Sequence, residues 1–177
     1  ATTDAPTVLN LSHHSFFNIS ANFHQTVENQ MMWIDGDFIT PYDENKKVAG
    51  GYAAVEGTPF DFRKPKAIGR DLGADYAALQ ILGGYDHNFE VFANPCAIVR
   101  DPESGRSMAV TTDCPGVQFY TGNYLNNAGK DGAFYTKRSG ICLETQFYPD
   151  ALNKPQWQQP ITKAGERYRS RTTFRFL

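Results

Sequence analysis

The tightest constraint on the fold is how often this chain is interrupted. Turn-forming residues recur about every ten positions, and the segments between them are too short for anything but strands. Asp101-Pro-Glu-Ser-Gly105 is a strong hairpin turn between Cys96–Arg100 and Arg106–Thr112. Pro41-Tyr-Asp-Glu-Asn45, Gly50-Gly51 and Gly83-Gly84 break the chain in the same way. Only residues 69–80, with Leu72, Tyr76 and Leu79 at helical spacing, predict a helix. An antiparallel all-β protein, a sandwich or related double sheet, follows.

The segments themselves alternate with a period of two. In Ser139–Asn153, Cys142, Glu144 and Gln146 share one face and Ile141, Leu143 and Thr145 the other, until Tyr148-Pro149 ends the ladder. A carboxylate there is costly unless it is paired or used; the plain reading is that Glu144 reaches solvent or an arginine. Residues 7–19 predict a strand with Leu9, Leu11, His13 and Phe17 on one face and Asn10, Ser12, His14 and Phe16 on the other. His14, on the polar side, is therefore the better candidate for chemistry; a hydrogen-bonded structural imidazole is the alternative.

Residues 29–40 predict one strand with Met31, Trp33 and Phe38 as core or pocket wall. Residues 83–89 read as a turn leading into a strand from Phe89 to Ala93, with Asp86 a turn former and His87 in an exposed loop. Gln118, between bulky neighbours in Val117–Gly122, needs a partner if buried. Residues 123–137 read as a glycine- and asparagine-rich loop. In residues 166–176 the arginines at 167, 169, 171 and 175 form a solvated row.

The remaining composition narrows the function classes. A net charge of -2 over 177 residues gives no reason to expect nucleic acid, and no apolar run approaches the ~20 residues of a membrane span. Three cysteines without ligand spacing suggest neither a disulfide framework nor a zinc site, and they favour a reducing, cytoplasmic setting over a periplasmic or secreted one. With 41% hydrophobic residues the chain can bury a core, and residues 1–177 are expected to form one domain.

Five motifs, taken together, carry a resemblance. Asn10-Leu-Ser-His-His-Ser-Phe-Phe-Asn-Ile19, Gly57-Thr-Pro-Phe-Asp-Phe-Arg63, Gly84-Tyr-Asp-His-Asn-Phe89, Gly116-Val-Gln-Phe-Tyr-Thr-Gly-Asn123 and Leu143-Glu-Thr-Gln-Phe-Tyr-Pro-Asp-Ala-Leu-Asn153 stand in the order and spacing of the aldose 1-epimerases, the galactose mutarotases. The resemblance implies a β-supersandwich and exchange of the α and β anomers of a free aldohexose. It implies His14 as catalytic acid, Glu144 as catalytic base, and Asp86 and Gln118 as ligands of sugar hydroxyls. No metal or other cofactor is implied. Trp33 or a tyrosine would cover the apolar face of the sugar ring.

The resemblance covers the family's C-terminal half. The arginine and further histidine that the N-terminal half supplies have no counterpart, and no motif makes His24 or Arg63 a substitute for them. His13 stands where the family has asparagine, and Phe16 where it has tyrosine. A half-sandwich would leave strand edges and an apolar face uncovered, so a second polypeptide carrying the other half, or a second copy, is expected to complete it. A non-catalytic sugar-binding module and a hexose-phosphate mutarotase stay as alternatives; an acid paired with a base favours the enzyme.

Overall fold

The computed structural model describes residues 1–22 and 24–177. Its strands are β1 (Thr7–Val8), β2 (Met31–Ile34), β3 (Phe38–Ile39), β4 (Ala53–Ala54), β5 (Lys66–Ala67), β6 (Asp86–Glu90) and β7 (Ala97–Arg100). They continue with β8 (Ser107–Thr112), β9 (Gly116–Tyr120), β10 (Asn127–Ala128), β11 (Phe134–Tyr135), β12 (Cys142–Gln146), β13 (Ile161–Thr162) and β14 (Thr172–Phe176). One short helix, α1 (Ala77–Leu82), completes the set together with a few 3-10 turns. Two five-stranded sheets dominate, in the orders β12-β9-β6-β3-β4 and β14-β8-β7-β2-β5. The pairings between these strands are antiparallel.

The period of two explains how the sheets meet. Leu143, Val117, Phe119 and Phe89 leave one sheet on the same side, and Met32, Ile34, Val99, Met108 and Val110 leave the other to meet them in a common core. Each large apolar side chain buried there contributes roughly 1.5–3 kcal/mol. The hairpin β7–β8 forms around residues 101–105 as its turn sequence predicts, with the Asp101 carboxylate accepting from the Ser104 amide at 2.7 Å. The arginines of the last segment are exposed, as expected.

Several expectations are corrected. The predicted strand over residues 29–40 is two strands in different sheets, because the chain crosses at Gly36, where an added Cβ would lie 2.7 Å from the Glu90 carbonyl oxygen. Its buried face is Met32 and Ile34; Met31 and Trp33 are half-buried and Phe38 is exposed. Trp33 turns its indole N–H to the Arg63 carbonyl at 3.0 Å, on the sheet that does not carry Glu144. The predicted helix over residues 69–80 splits into a 3-10 turn (Ile68–Asp71) and α1, since Asp71 is held at 2.6 Å by the buried Lys66 ammonium. Inside residues 123–137 a small hairpin, β10–β11, appears.

The region around Asp86 is likewise stranded, and begins earlier than predicted. β6 starts at Asp86, so neither Asp86 nor His87 belongs to a turn or an exposed loop. The alternation sends His87 inward, fully buried, 4.5 Å from the Phe60 ring centroid. Its Nδ1 accepts the Asp86 amide at 3.1 Å, and burial pushes its pKa down to about 3. The unfolded chain therefore binds a proton that the folded chain refuses between about pH 6.5 and 3.

One further buried cation ties the loops together. Arg138 donates to the carbonyl of Gly83 at 2.7 Å, to the hydroxyl of Thr121 at 2.8 Å, to the Thr121 carbonyl and to the Asn123 side chain. Gly84 has φ +144, and a Cβ there would lie 2.5 Å from this guanidinium, so only glycine admits the approach. The arginine thus fixes residues 121–125, which follow β9.

Two outcomes are expected. His87→Leu should flatten the dependence of stability on pH between about 6 and 4 by up to ~1.4 kcal/mol per pH unit, stability being full above the unfolded pKa and lost as pH falls towards the folded one. Urea titrations at several pH values measure this, and an unchanged slope would refute it. Arg138→Met should cost roughly 2–4 kcal/mol by stranding buried acceptors, read from the same titrations at neutral pH.

Candidate active site

The face of the β12-β9-β6 sheet that points away from the core carries the candidate site. The register pairs Glu144 with Gln118 and Gln118 with Asn88, and pairs Cys142 with Tyr120 and Tyr120 with Asp86. Directly opposed residues point the same way, so Glu144, Gln146, Gln118, Tyr120 and Asp86 all leave the same face. Side chains on the other face are core, which is why these strands hold their register firmly.

A hydrogen-bonded row crosses the three strands. Gln118 donates from Nε2 to the Asp86 carboxylate at 2.8 Å, and its Oε1 accepts from Gln146 Nε2 at 3.3 Å. Both functions of the Gln118 amide are thus engaged, which meets its need for partners as a buried group. Asp86 keeps a second carboxylate oxygen free of any hydrogen bond among the described residues.

His14 arrives from outside the sheet. The predicted strand over residues 7–19 is a strand only at β1, with an isolated bridge of Phe17 to Ile141. Between them the chain runs along the free edge of β12, pinned where the Asn10 amide and the Phe147 backbone exchange hydrogen bonds at 2.9 and 3.2 Å. Without a ladder the segment can lift His14 over the strand edge. His13 points the other way, edge-on to Phe174 at 4.9 Å, and burial lowers its pKa.

The two groups singled out as acid and base therefore meet. His14 Nε2 lies 3.6 Å from Glu144 Oε1, and the two side chains are 58% and 17% exposed, so a solute can reach both. His14 Nδ1 faces the Cys142 sulfur at 3.2 Å. Burial raises the Glu144 pKa above the usual carboxylate range; the His14 charge opposes this and the Asp86 charge adds to it. Burial raises Asp86 as well, against the Gln118 hydrogen bond and His14. Acid and base stand side by side, not on opposing walls.

These side chains line a pocket of about 490 Å³, within the ordinary range for small-molecule sites. Phe16, Tyr120, Tyr124 and Leu125 supply its apolar and aromatic wall. Trp33 takes no part. Sequence reasoning missed Tyr120, Tyr124, Leu125 and Pro149; Tyr120 could have been found, since it follows Gln118 by two and must share its face. Tyr124 and Leu125 sit on the loop that Arg138 holds, and no local pattern points to them.

Comparison with known proteins identifies the family and the fold. The family described as aldose 1-epimerase matches residues 1–175. The galactose mutarotase of Mus musculus is 43% identical over 176 residues, which cover 96% of this chain and 50% of that protein. The crystal structure of galactose 1-epimerase from Lactobacillus acidophilus superposes with a TM-score of 0.85 at 29% identity, over 99% of this chain and 51% of that one. An aldose epimerase homologue from C. elegans gives a TM-score of 0.88 at 23% identity, over 99% and 53% respectively, and shows the shared fold. The chain spans about half the length of the curated relatives it matches. With the family match running over nearly all its residues, this chain belongs to the aldose 1-epimerase family.

Proposed function

We propose that this chain carries the acid–base half of a mutarotase site that interconverts the anomers of a free aldohexose such as galactose or glucose. The observation that carries the reading is the His14–Glu144 pair, 3.6 Å apart at the mouth of a sugar-sized pocket. The two oxygens that must exchange protons, the C1 hydroxyl and the ring oxygen, are bonded to the same carbon. An acid and a base that stand side by side can each reach one of them.

The reaction follows from that placement. Glu144 takes the proton from the C1 hydroxyl while His14 delivers one to the ring oxygen, the C1–O5 bond breaks, and an aldehyde with a free O5 hydroxyl results. Rotation about C1–C2 presents the other carbonyl face. On closure O5 attacks C1, His14 recovers its proton, and Glu144 returns one to O1. Positioned proton transfer of this kind is worth typically ~10²–10⁴-fold. Asp86, through its free oxygen, and the Gln118–Gln146 row are suited to sugar hydroxyls, and Tyr120 or Phe16 to the apolar ring face.

The pocket lies open on one side. We infer that residues 1–177 act as one unit of a larger sandwich, and that polypeptide beyond them, in the same or another chain, closes the site. The relatives are about twice as long as the region they share with this chain, which supports that reading. Three free, buried cysteines support a reducing, cytoplasmic setting. No helix among the described residues is long and apolar enough to cross a membrane.

Polarimetric decay of freshly dissolved α-D-galactose and α-D-glucose tests the reaction. Glu144→Gln should remove at least ~100-fold of the catalysed rate. Sugar binding without acceleration, by a folded chain supplied with the remaining half of the sandwich, would favour a binding module instead. Because the base works only when ionised, the rate should fall with decreasing pH through the raised Glu144 pKa. Asp86→Asn removes a negative neighbour that raises that pKa, so the acid limb of kcat should move to lower pH; a limb that stays in place or moves up would contradict the assignment.

A further inference from the structure

His14, Cys142 and Glu144 are the described residues whose metal-binding atoms converge, all lying within 4.8 Å of one another. The spacing of the cysteines and histidines along the chain gives no hint of this, since His14 and Cys142 are 128 positions apart. The mutarotase reaction uses the histidine and the carboxylate but has no work for the thiol. We propose that these three side chains form a latent site for a zinc-class divalent cation, and that filling it silences the acid–base pair. The inhibitory consequence rests on the mutarotase reading; the binding does not.

The donor set is the argument. Thiolate sulfur, imidazole nitrogen and carboxylate oxygen are the ligand types zinc takes in proteins, at roughly 2.0–2.3 Å, and a site with three protein ligands leaves the fourth position to water or another solute. Ligand atoms at those bond lengths in a tetrahedron lie roughly 3.3–3.6 Å apart. The contacts here are 3.2 Å from Cys142 Sγ to His14 Nδ1 and 3.6 Å from Glu144 Oε1 to His14 Nε2. The two contacts use different ring nitrogens, so the ring must turn until one nitrogen serves the metal. A ring that is 58% exposed and held by no ladder can do so.

Softness sets the selectivity. Sulfur and imidazole favour zinc, cadmium and cobalt over magnesium and calcium, which prefer all-oxygen shells. Binding exchanges the thiol proton for the metal, Cys–SH plus M²⁺ giving Cys–S–M⁺ plus H⁺, so no redox partner is needed. The open pocket lined by His14 and Glu144 is the route of entry, with Cys142 behind them. With the cation in place, the imidazole nitrogen and the carboxylate are both occupied and neither can exchange a proton with a sugar.

Cobalt(II) titration of the chain as purified, followed by near-ultraviolet absorption, tests the site without any turnover. One equivalent should bring up a thiolate-to-cobalt charge-transfer band, and zinc should bleach it. Cys142→Ser and Cys142→Ala, each checked for folding by circular dichroism, should lose the band, whereas Cys114→Ser should keep it. Glu144→Gln should weaken zinc binding at least tenfold by calorimetry. With active enzyme, micromolar zinc but not magnesium should suppress the polarimetric rate, and a chelator should restore it. A band that appears in a chain without mutarotase activity upholds the metal site and sinks the mutarotase reading. Absence of the band in the folded chain, or its survival in both Cys142 variants, overturns the proposal whatever the activity.

Discussion

Everything at the pocket depends on the register of three strands. β12, β9 and β6 pair so that each strand gives alternate residues to the core and to the outer face. Leu143, Phe119 and Phe89 are buried together on one side, and that burial holds Glu144, Gln118 and Asp86 together on the other. A slip of one residue would send the carboxylates into the core and the aromatic rings into water, at a cost of many kcal/mol. The site is precise because the hydrophobic core behind it is.

The electrostatics follow from the same arrangement. Two carboxylates and an imidazole share a half-buried face, so burial pushes both carboxylates towards protonation, the Asp86 charge adds to this at Glu144, and the histidine draws both back. The Gln118 amide donates to Asp86 and accepts from Gln146, so the three side chains form one hydrogen-bonded row. His14 is the adjustable member: it comes from an edge segment secured by Asn10 and by one bridge, not by a ladder. In the proposed reaction, a base fixed in a strand beside an acid on an edge segment suits a substrate whose ring must open, turn and close.

Much of this is legible in the amino-acid sequence. The alternation around Glu144, the separation of His13 from His14, the β7–β8 hairpin and the all-β class rest on local rules, and the structure agrees with each. Local pattern misleads where distant contacts override it. Residues 29–40 look like one strand because both halves are apolar, yet Gly36 lets the chain pass the Glu90 carbonyl and change sheets. His87 looks like an exposed loop residue after Gly83-Gly84, but pairing with Phe119 draws it into β6 and into the core. Trp33 looks like a sugar platform because it is large and aromatic; its sheet lies on the far side of the sandwich.

The sequence by itself determined the class of fold and the faces of the strands around Gln118 and Glu144, since a period of two and turn chemistry act over a few residues, while the resemblance of its motifs pointed to His14, Asp86, Gln118 and Glu144. Tertiary structure alone decided which residues meet. His14 and Glu144 are 130 positions apart, and their contact exists because an edge segment is carried past β12; the thiol of Cys142 joins them for the same reason. The aromatic wall is equally non-local, because Tyr124 and Leu125 reach the pocket through a loop held by Arg138. Side-chain direction is written in a strand's own alternation, whereas proximity across a sandwich is set by how its layers pack.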